Sequence, residues 1–264
     1  MERSRAQRSD GAQRMVAAAV SAVSPPVDER PHVAPARTRS VRPDAALLRR
    51  NRVLAPGAAD GAAHAYKMLR TQTLQLLRKH GFNSLAVVSP APDDGRTLTA
   101  INLAIATAED PDHTALLVDM DLRQPSVHRY LGLDVAHGVG DCLRNERDVA
   151  DVLVRLETYP KLVVLPGAGP VTQSSEMLSG DSGRRLTADL RKRYTNRVVI
   201  YDLPPLLATD DALAFLPHVE AALLVVCEGR TRREDVQRCL ELLRDIPIVG
   251  TVLNGSREPA AAQG

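Results

Sequence analysis

One stretch, residues 84–108, constrains the fold more than any other part of the chain. It begins with a short apolar run at residues 85–88, which is typical of a buried strand. A loop rich in Pro, Asp and Gly follows, and Arg96 then begins a helical pattern of apolar residues. A phosphate-binding P-loop requires this order of strand, tight loop and helix, because loop N–H groups and the helix dipole together favour an anion.

The loop matches the P-loop motif only in part. The motif G-x-x-x-x-G-K-[ST] ends here as Gly95-Arg96-Thr97, and Pro90 or its neighbours stand in place of the first glycine. An ordinary strand-to-helix turn is the alternative interpretation of this stretch taken alone. The rest of the chain has to decide between the two.

The composition favours an α/β fold. Apolar residues make up 44% of the 264 residues, but aromatic residues make up only 3%, so Val, Leu, Ile and Ala must build the core. Valine-rich runs alternate with helical patterns, which predicts a mostly parallel central sheet flanked by helices on both faces. The net charge of +2 does not favour a nucleic-acid partner.

The chain carries no sign of a secreted or membrane-spanning protein. Its three cysteines have no metal-binding spacing and imply no disulfide framework, which is typical of a reducing cytoplasm. No run reaches the ~18 apolar residues that a transmembrane helix needs. We therefore expect any membrane association to come through a partner.

The chain divides into three parts by composition. Residues 1–56 are rich in Arg, Ala, Pro and Ser without a sustained period, which predicts a flexible basic arm. Its basic cluster at residues 37–52 is either a solvated arm or a contact with an acidic lipid surface. Residues 57–255 are predicted to form the folded domain, and residues 256–264 a loose tail.

Acidic residues follow two further apolar runs. Asp119 and Asp121 follow a predicted strand at residues 114–118, and Asp202 ends a β-branched run before Leu-Pro-Pro. Open α/β sheets bind ligands at the carboxyl ends of their strands, and acids there can hold Mg²⁺ beside a phosphate loop. A single acid at the end of a strand is usually a turn residue, but acids at two strand ends beside a P-loop favour the metal site.

An amphipathic helix is predicted over residues 62–79, before the P-loop. Its residues His64, Lys67 and Arg70 lie on or near one polar face, which is either a solvated face or a subunit contact. Short helices are also predicted at residues 126–131, 138–144 and 149–156.

The chain resembles the bacterial tyrosine kinases (BY-kinases) of exopolysaccharide and capsule export. The resemblance lies in the order of six segments: GRTLTAINLA, LLVDMDLRQPSVHRYLGL, LVVLPGAGP, VVIYDLPPLLATDDALAF, AALLVVCEG and GTVLN. The resemblance covers residues 45–254. It implies a three-layer P-loop NTPase fold, and a cytoplasmic protein that uses ATP and Mg²⁺ to phosphorylate protein tyrosine.

The resemblance also assigns residues to the nucleotide. It places Gly95, Arg96, Thr97 and Leu98 on the phosphate-binding Walker A segment, with Thr97 as a Mg²⁺ ligand, and Asn254 where the family contacts adenine.

It further implies a second acidic motif, Walker A′, at Asp119 and Asp121, where Asp119 serves as base for the attacking hydroxyl. Asp121 and the Walker B residue Asp202 would support the metal, and Arg96 would act in catalysis.

The resemblance implies partners as well. The family pairs with the cytoplasmic end of a membrane polysaccharide copolymerase, or chain-length regulator, at the inner face of the plasma membrane. His64, Lys67 and Arg70 match the family's Glu-x-x-Arg-x-x-Arg contact, which helps to build a homo-oligomeric ring.

Departures from the family pattern leave three hypotheses open. Arg96 replaces the Walker lysine, Asp93 stands where the family tends to have Gly, and His64 replaces a Glu. The last tyrosine is Tyr201, in a predicted strand, so a tyrosine tail is missing. The chain is then a tyrosine kinase, a nucleotide-sensing pseudokinase, or a partitioning or septum-type ATPase; the last usually has a further lysine that residues 89–94 lack.

Overall fold

The computed structural model describes residues 38–192 and 196–256. Residues 1–37 of the predicted arm, and residues 257–264 of the predicted tail, lie outside the described residues. The strands within the described residues are, in chain order, β1 (Arg39–Val41), β2 (Ser84–Val88), β3 (Thr114–Asp119), β4 (Val154–Leu156), β5 (Tyr159–Leu165), β6 (Arg197–Asp202), β7 (Ala222–Cys227) and β8 (Ile248–Asn254).

These strands form a single sheet in the order β1-β4-β5-β3-β6-β2-β7-β8. All neighbouring pairs are parallel except β4 with β5, which is antiparallel. The mostly parallel α/β architecture predicted from the sequence is therefore confirmed. The P-loop strand β2 lies between β6 and β7, so the strand that ends in the Walker B acid is its direct neighbour.

Helices cover both faces of this sheet. They are α1 (Ala45–Arg50), α2 (Gly61–His80), α3 (Arg96–Ala108), α4 (Val127–Leu131), α5 (Val139–Leu143), α6 (Val149–Val152), α7 (Ser174–Ser179), α8 (Asp181–Lys192), α9 (Asp211–Phe215) and α10 (Arg233–Leu242).

The central strands are buried on both sides, which explains their continuous apolar sequences. In β2, Leu85 and Val87 enter the core beneath α2 and α3, while Ala86 and Val88 enter the core beneath α7, α8 and α9. Successive side chains of a strand point to opposite faces, so a run with no polar residue is what a three-layer fold requires.

Two parts of the sequence fold differently from the prediction. Residues 39–54 of the predicted arm belong to the domain, since β1 pairs with β4 and Leu48, Val53 and Leu54 are buried. The helix predicted at residues 149–156 ends at Val152, and its last residues form β4. Both strands have three residues, too few for a period to appear in the sequence.

Within the described residues, no helix is both long enough and apolar enough to cross a membrane.

Candidate functional site

The phosphate loop connects β2 to α3 and is held in shape by its own side chains. The carboxylate of Asp94 accepts a hydrogen bond from the Ala91 N–H at 3.0 Å, and Asp94 is buried. Asp93 and Gly95 both have positive φ, of 61° and 95°. Gly95 is required for a second reason, because a Cβ there would lie 1.9 Å from Nδ2 of Asn254.

Two residues that follow or end the neighbouring strands β7 and β8 brace this loop. Asn254, at the end of β8, donates a hydrogen bond of 2.9 Å from Nδ2 to the Asp94 carbonyl. Arg230, after β7, donates to the carbonyls of Asp93 at 3.1 Å and Pro92 at 3.4 Å. Asn254 is predicted to contact adenine, and here its amide supports the loop. Sequence reasoning did not identify Arg230, since a single exposed arginine after a strand carries no signal.

Two carboxylates meet at the carboxyl ends of neighbouring strands. Asp119 ends β3, Asp202 ends β6, and the two are partners in the parallel register. Both side chains are fully buried. Among the described residues, neither oxygen of Asp202 and only one oxygen of Asp119 has a hydrogen-bond partner. Because an unpaired buried carboxylate is costly, this arrangement indicates a site for a cation.

Burial also changes the pKa of both acids. It raises the pKa of Asp119 to about 8, with a further contribution from the nearby charge of Asp202. It raises the pKa of Asp202 to about 6, against the opposing effect of Arg96. Oδ2 of Asp119 accepts hydrogen bonds from the N–H groups of Ser126 and Val127 at 2.9 and 3.0 Å, which favour its charged form. The other oxygen of Asp119 stays free to accept a proton.

Arg96 links the loop to these acids. Its side chain is buried, hydrogen-bonds to the Asp121 carboxylate and to the Leu203 carbonyl, and places Nε 3.7 Å from Oδ1 of Asp202. The guanidinium therefore lies between the two acids that the resemblance assigns to the metal. Oγ1 of Thr97, the next residue, lies 3.5 Å from Oγ of Ser126.

The donor set suits a magnesium ion that arrives with phosphates. Within residues 38–192 and 196–256, no three His, Cys, Asp or Glu side chains converge to hold a metal by themselves. Mg²⁺ keeps several waters and is usually bound by one or two carboxylates together with substrate phosphates. Asp121, Asp202 and the Thr97 hydroxyl fit that role, and the unpaired oxygens of Asp202 supply the negative charge.

A glycine loop lies close to Asp119 and was not identified from the sequence. A Cβ on Gly167 would lie 2.3 Å from Cβ of Pro125 and 3.3 Å from Oδ2 of Asp119. A cavity of about 360 Å³ is lined in part by Arg123, Pro125 and His128. The signal available was the Pro-Gly pair after β5, which predicts only the end of a strand.

Arg123, two residues after Asp121, connects this acidic segment to α9 by hydrogen bonds. It donates two hydrogen bonds, of 3.0 and 2.9 Å, to the buried carboxylate of Asp211, which also accepts one from Ser174 at 2.6 Å. Two hydrogen bonds from one arginine to one carboxylate fix the relative orientation of the two side chains and also stabilise their contact.

The remaining predicted residues contact their own chain or solvent. Leu98 packs its side chain against the core, so only its backbone is available to phosphates. On α2, His64 is exposed, while Lys67 and Arg70 donate hydrogen bonds of 3.3 Å to the carbonyls of Ala58 and Ala106. The subunit contact stays a prediction.

The fold and loop define the class of the protein as a P-loop NTPase. The chain is similar in fold to the septum site-determining protein MinD from Pyrococcus horikoshii, in a structure with Mg-ADP. The TM-score is 0.55 at 22% identity, over 65% of this chain and 69% of MinD, and this likeness concerns only the fold. The chimeric protein CapA2B2 gives a TM-score of 0.70 at 25% identity, over 83% of this chain and 94% of that one.

Within that class, the chain is related to the bacterial tyrosine kinases, as the motif order predicts. It is 28% identical over 195 residues to the tyrosine-protein kinase YwqD of Bacillus subtilis (strain 168), covering 73% of this chain and 80% of YwqD. It is 29% identical over 199 residues to the tyrosine-protein kinase etk of Escherichia coli (strain K12), covering 75% of this chain. The chain spans about a quarter of the length of etk. No family model matches the chain.

Proposed function

We propose that this protein binds MgATP and transfers its γ-phosphoryl group to protein tyrosine, in the manner of the bacterial tyrosine kinases of exopolysaccharide biosynthesis. The observation that carries the proposal is the cluster of Asp119, Asp121 and Asp202 beside the first turn of α3, with unpaired carboxylate oxygens in a buried setting. A structural cluster would satisfy those oxygens internally. The relatives named as tyrosine kinases support the same function.

The residues of the chain divide the work of phosphoryl transfer. The loop N–H groups and the N-terminus of α3 would hold the phosphates. Thr97, Asp121 and Asp202 would hold Mg²⁺, which neutralises charge on the phosphates when bound. Asp119 would act in its charged form, which a cation bound beside it would favour. Its free oxygen and raised pKa then suit it to take the proton of a tyrosine hydroxyl.

We propose that the tyrosine comes from another molecule or from outside the described residues. Tyr201 lies in β6, is fully buried, and has its pKa raised well above the ordinary value by burial. We propose that the substrate approaches Asp119 through the cavity described above, which is lined by Arg123 on one side and by residues 168–170, next to Gly167, on the other.

The alternative is a pseudokinase that senses nucleotide. The observation in its favour is Arg96, whose planar guanidinium replaces an ammonium and is engaged by Asp121. In both cases we propose that the protein acts at the inner face of the plasma membrane, with the cytoplasmic end of a polysaccharide chain-length regulator. Ring assembly through α2 belongs to the same proposal.

Calorimetry with MgATP tests the proposal, with Asp202→Ala as the comparison. We expect wild-type protein to bind and Asp202→Ala to lose at least about tenfold in affinity, because a metal ligand is removed. Asp181→Ala, which removes an exposed carboxylate at the start of α8, is the matched control and should bind like wild type. Binding that is unaffected by Asp202→Ala would overturn the assigned site.

A phosphotyrosine assay then separates kinase from pseudokinase. The purified protein is incubated with MgATP and a tyrosine-containing peptide, and Arg96→Lys is assayed in parallel. Phosphotyrosine formed by wild type and lost in Asp119→Asn supports the kinase. Product formed only by Arg96→Lys supports the pseudokinase.

A further inference from the structure

Arg96 takes a position that a metal ion would be expected to need. Its guanidinium hydrogen-bonds to Asp121, and its Nε lies 3.7 Å from Oδ1 of Asp202. The side chain is only 10% exposed, and the Leu203 carbonyl accepts a further hydrogen bond from it. The arginine is thus held by three partners from two different strand ends.

We propose that Arg96 serves as an internal cation in the nucleotide-free protein: its guanidinium neutralises Asp121 and Asp202 and excludes a divalent metal until phosphates draw it away. The inference rests on the proposed nucleotide site, and it adds an order of events to that site. Metal and nucleotide would bind together, and metal alone would not bind.

The chemistry of the side chain supports this role. Arginine keeps its charge under all physiological conditions, and its planar fork matches carboxylates and phosphates equally well. A carboxylate pair already bound to a guanidinium attracts a second cation weakly. A bound polyphosphate would offer the guanidinium a new anionic partner and leave the carboxylates to the metal.

The site also lacks what a metal would need to bind by itself. Asp121 has one oxygen engaged by the Gln124 N–H at 3.0 Å and the other by Arg96. Asp202 alone keeps both oxygens without a hydrogen bond among the described residues. Removing the guanidinium would therefore leave two carboxylates, one of them wholly unpaired, beside the Thr97 hydroxyl.

The test measures Mn²⁺ binding to nucleotide-free protein by electron paramagnetic resonance. We expect Arg96→Ala to bind Mn²⁺ about ten- to a hundredfold more tightly than wild type, a range typical of coupled sites. The double variant Arg96→Ala/Asp202→Asn should lose that gain. Arg244→Ala, which removes an equal charge from an exposed ion pair without freeing a buried carboxylate, should bind Mn²⁺ like wild type.

Other outcomes overturn the inference. Equal Mn²⁺ affinity in wild type and Arg96→Ala would show that the guanidinium excludes nothing, and no binding by either would show that the carboxylates form no latent metal site. Arg96→Met keeps the unbranched stem of the side chain without its charge, and it replaces Arg96→Ala if that variant does not fold. Tight Mn²⁺ binding by wild type that Asp202→Asn abolishes also overturns the inference, without any Arg96 variant.

The same samples separate this inference from the proposed function. The Mn²⁺ measurement contains no nucleotide, so it stands if calorimetry shows that wild type does not bind MgATP. In that case the proposed function fails and the internal cation remains. If wild type binds MgATP but Arg96→Ala gains no affinity for Mn²⁺, only the inference fails.

Discussion

Carboxylates at the two ends of the central sheet have very different surroundings. At the amino end, Glu220 precedes β7, and its Oε2 accepts hydrogen bonds from the N–H groups of Asn83 and Ser84 at 2.8 and 3.1 Å. The Ser84 hydroxyl and the Arg191 guanidinium also donate to Glu220. At the carboxyl end, Asp202 is more deeply buried and accepts no hydrogen bond.

The contrast separates an acid that stabilises the fold from acids kept for a ligand. Glu220 ties the start of β2 to α8, because its oxygens satisfy donors that would otherwise be unpaired. Asp202 accepts no hydrogen bond, and its burial is offset only by the charge of Arg96, whose Nε lies 3.7 Å from Oδ1. Functional sites commonly carry such local costs, which a bound ligand relieves.

The largest effect on stability is expected for Glu220→Ala. The variant leaves two backbone donors and Arg191 without their acceptor, so we expect the free energy of unfolding to fall by about 2–4 kcal/mol in urea titrations. Glu157→Ala is the control: it breaks only the exposed pair with Arg42 and should cost about 0–1 kcal/mol. Equal losses of unfolding free energy in the two variants would show that the hydrogen bonds of Glu220 stabilise the fold no more than an exposed ion pair does.

Asp202→Asn should change stability in the opposite direction. At pH 8 the variant removes a buried charge that accepts no hydrogen bond and has only a long ion pair, of 3.7 Å, with Arg96. Arg96 keeps Asp121 as its partner, so we expect the free energy of unfolding to stay unchanged or to rise by about 1–2 kcal/mol. The same urea titration measures it. A loss as large as that of Glu220→Ala would mean that Asp202 is a structural acid as well.

Asp119 makes the stability depend on pH. Burial raises its pKa to about 8 in the folded protein, so between about pH 4 and pH 8 the folded state keeps a proton that the unfolded state releases. The folded state then binds more protons, and stability falls as the pH rises through this range.

Asp119→Asn should remove this component of the pH dependence, which is at most about 1.4 kcal/mol per pH unit. Urea midpoints at pH 5, 6, 7 and 8 measure it, and the quantity compared is the slope for wild type minus the slope for Asp119→Asn. Parallel slopes would contradict a proton on Asp119 in the folded state.

Features that are local in the chain explain how much of the fold and of the site the sequence could predict. The continuous apolar runs of β2, β3 and β6 are long enough to show buried strands, and each is followed by the loop or acid that marks the ligand-binding edge. These features are local in the chain. They therefore predicted the three-layer fold and the place where Asp119 and Asp202 meet.

Contacts that depend on distant parts of the chain could not be predicted. The rotamer of Arg96 is decided by Asp121 and Leu203, which lie 25 and 107 residues away. The short strands β1 and β4 are ordered by pairing, β1 with β4 at the edge of the sheet and β4 also with β5, and neither has a recognisable period of its own. Propensity carries little information where three residues are ordered by tertiary pairing.

Asn254 gives the smallest expected effect and tests whether a polar side chain at the ligand-binding edge is structural. Its Nδ2 donates to the Asp94 carbonyl, so Asn254→Ala should reduce the free energy of unfolding by about 0.5–1.5 kcal/mol, the usual value of one hydrogen bond. Urea titration gives this loss, and calorimetry with MgATP and with the triphosphate group alone gives the change in binding. If Asn254 supports only the loop, its loss weakens both ligands by the same factor, because both use the loop. If Asn254 also contacts adenine, its replacement reduces the affinity for MgATP more than the affinity for triphosphate. Asn254 is then a ligand-binding residue like Asp202 and not a structural one like Glu220.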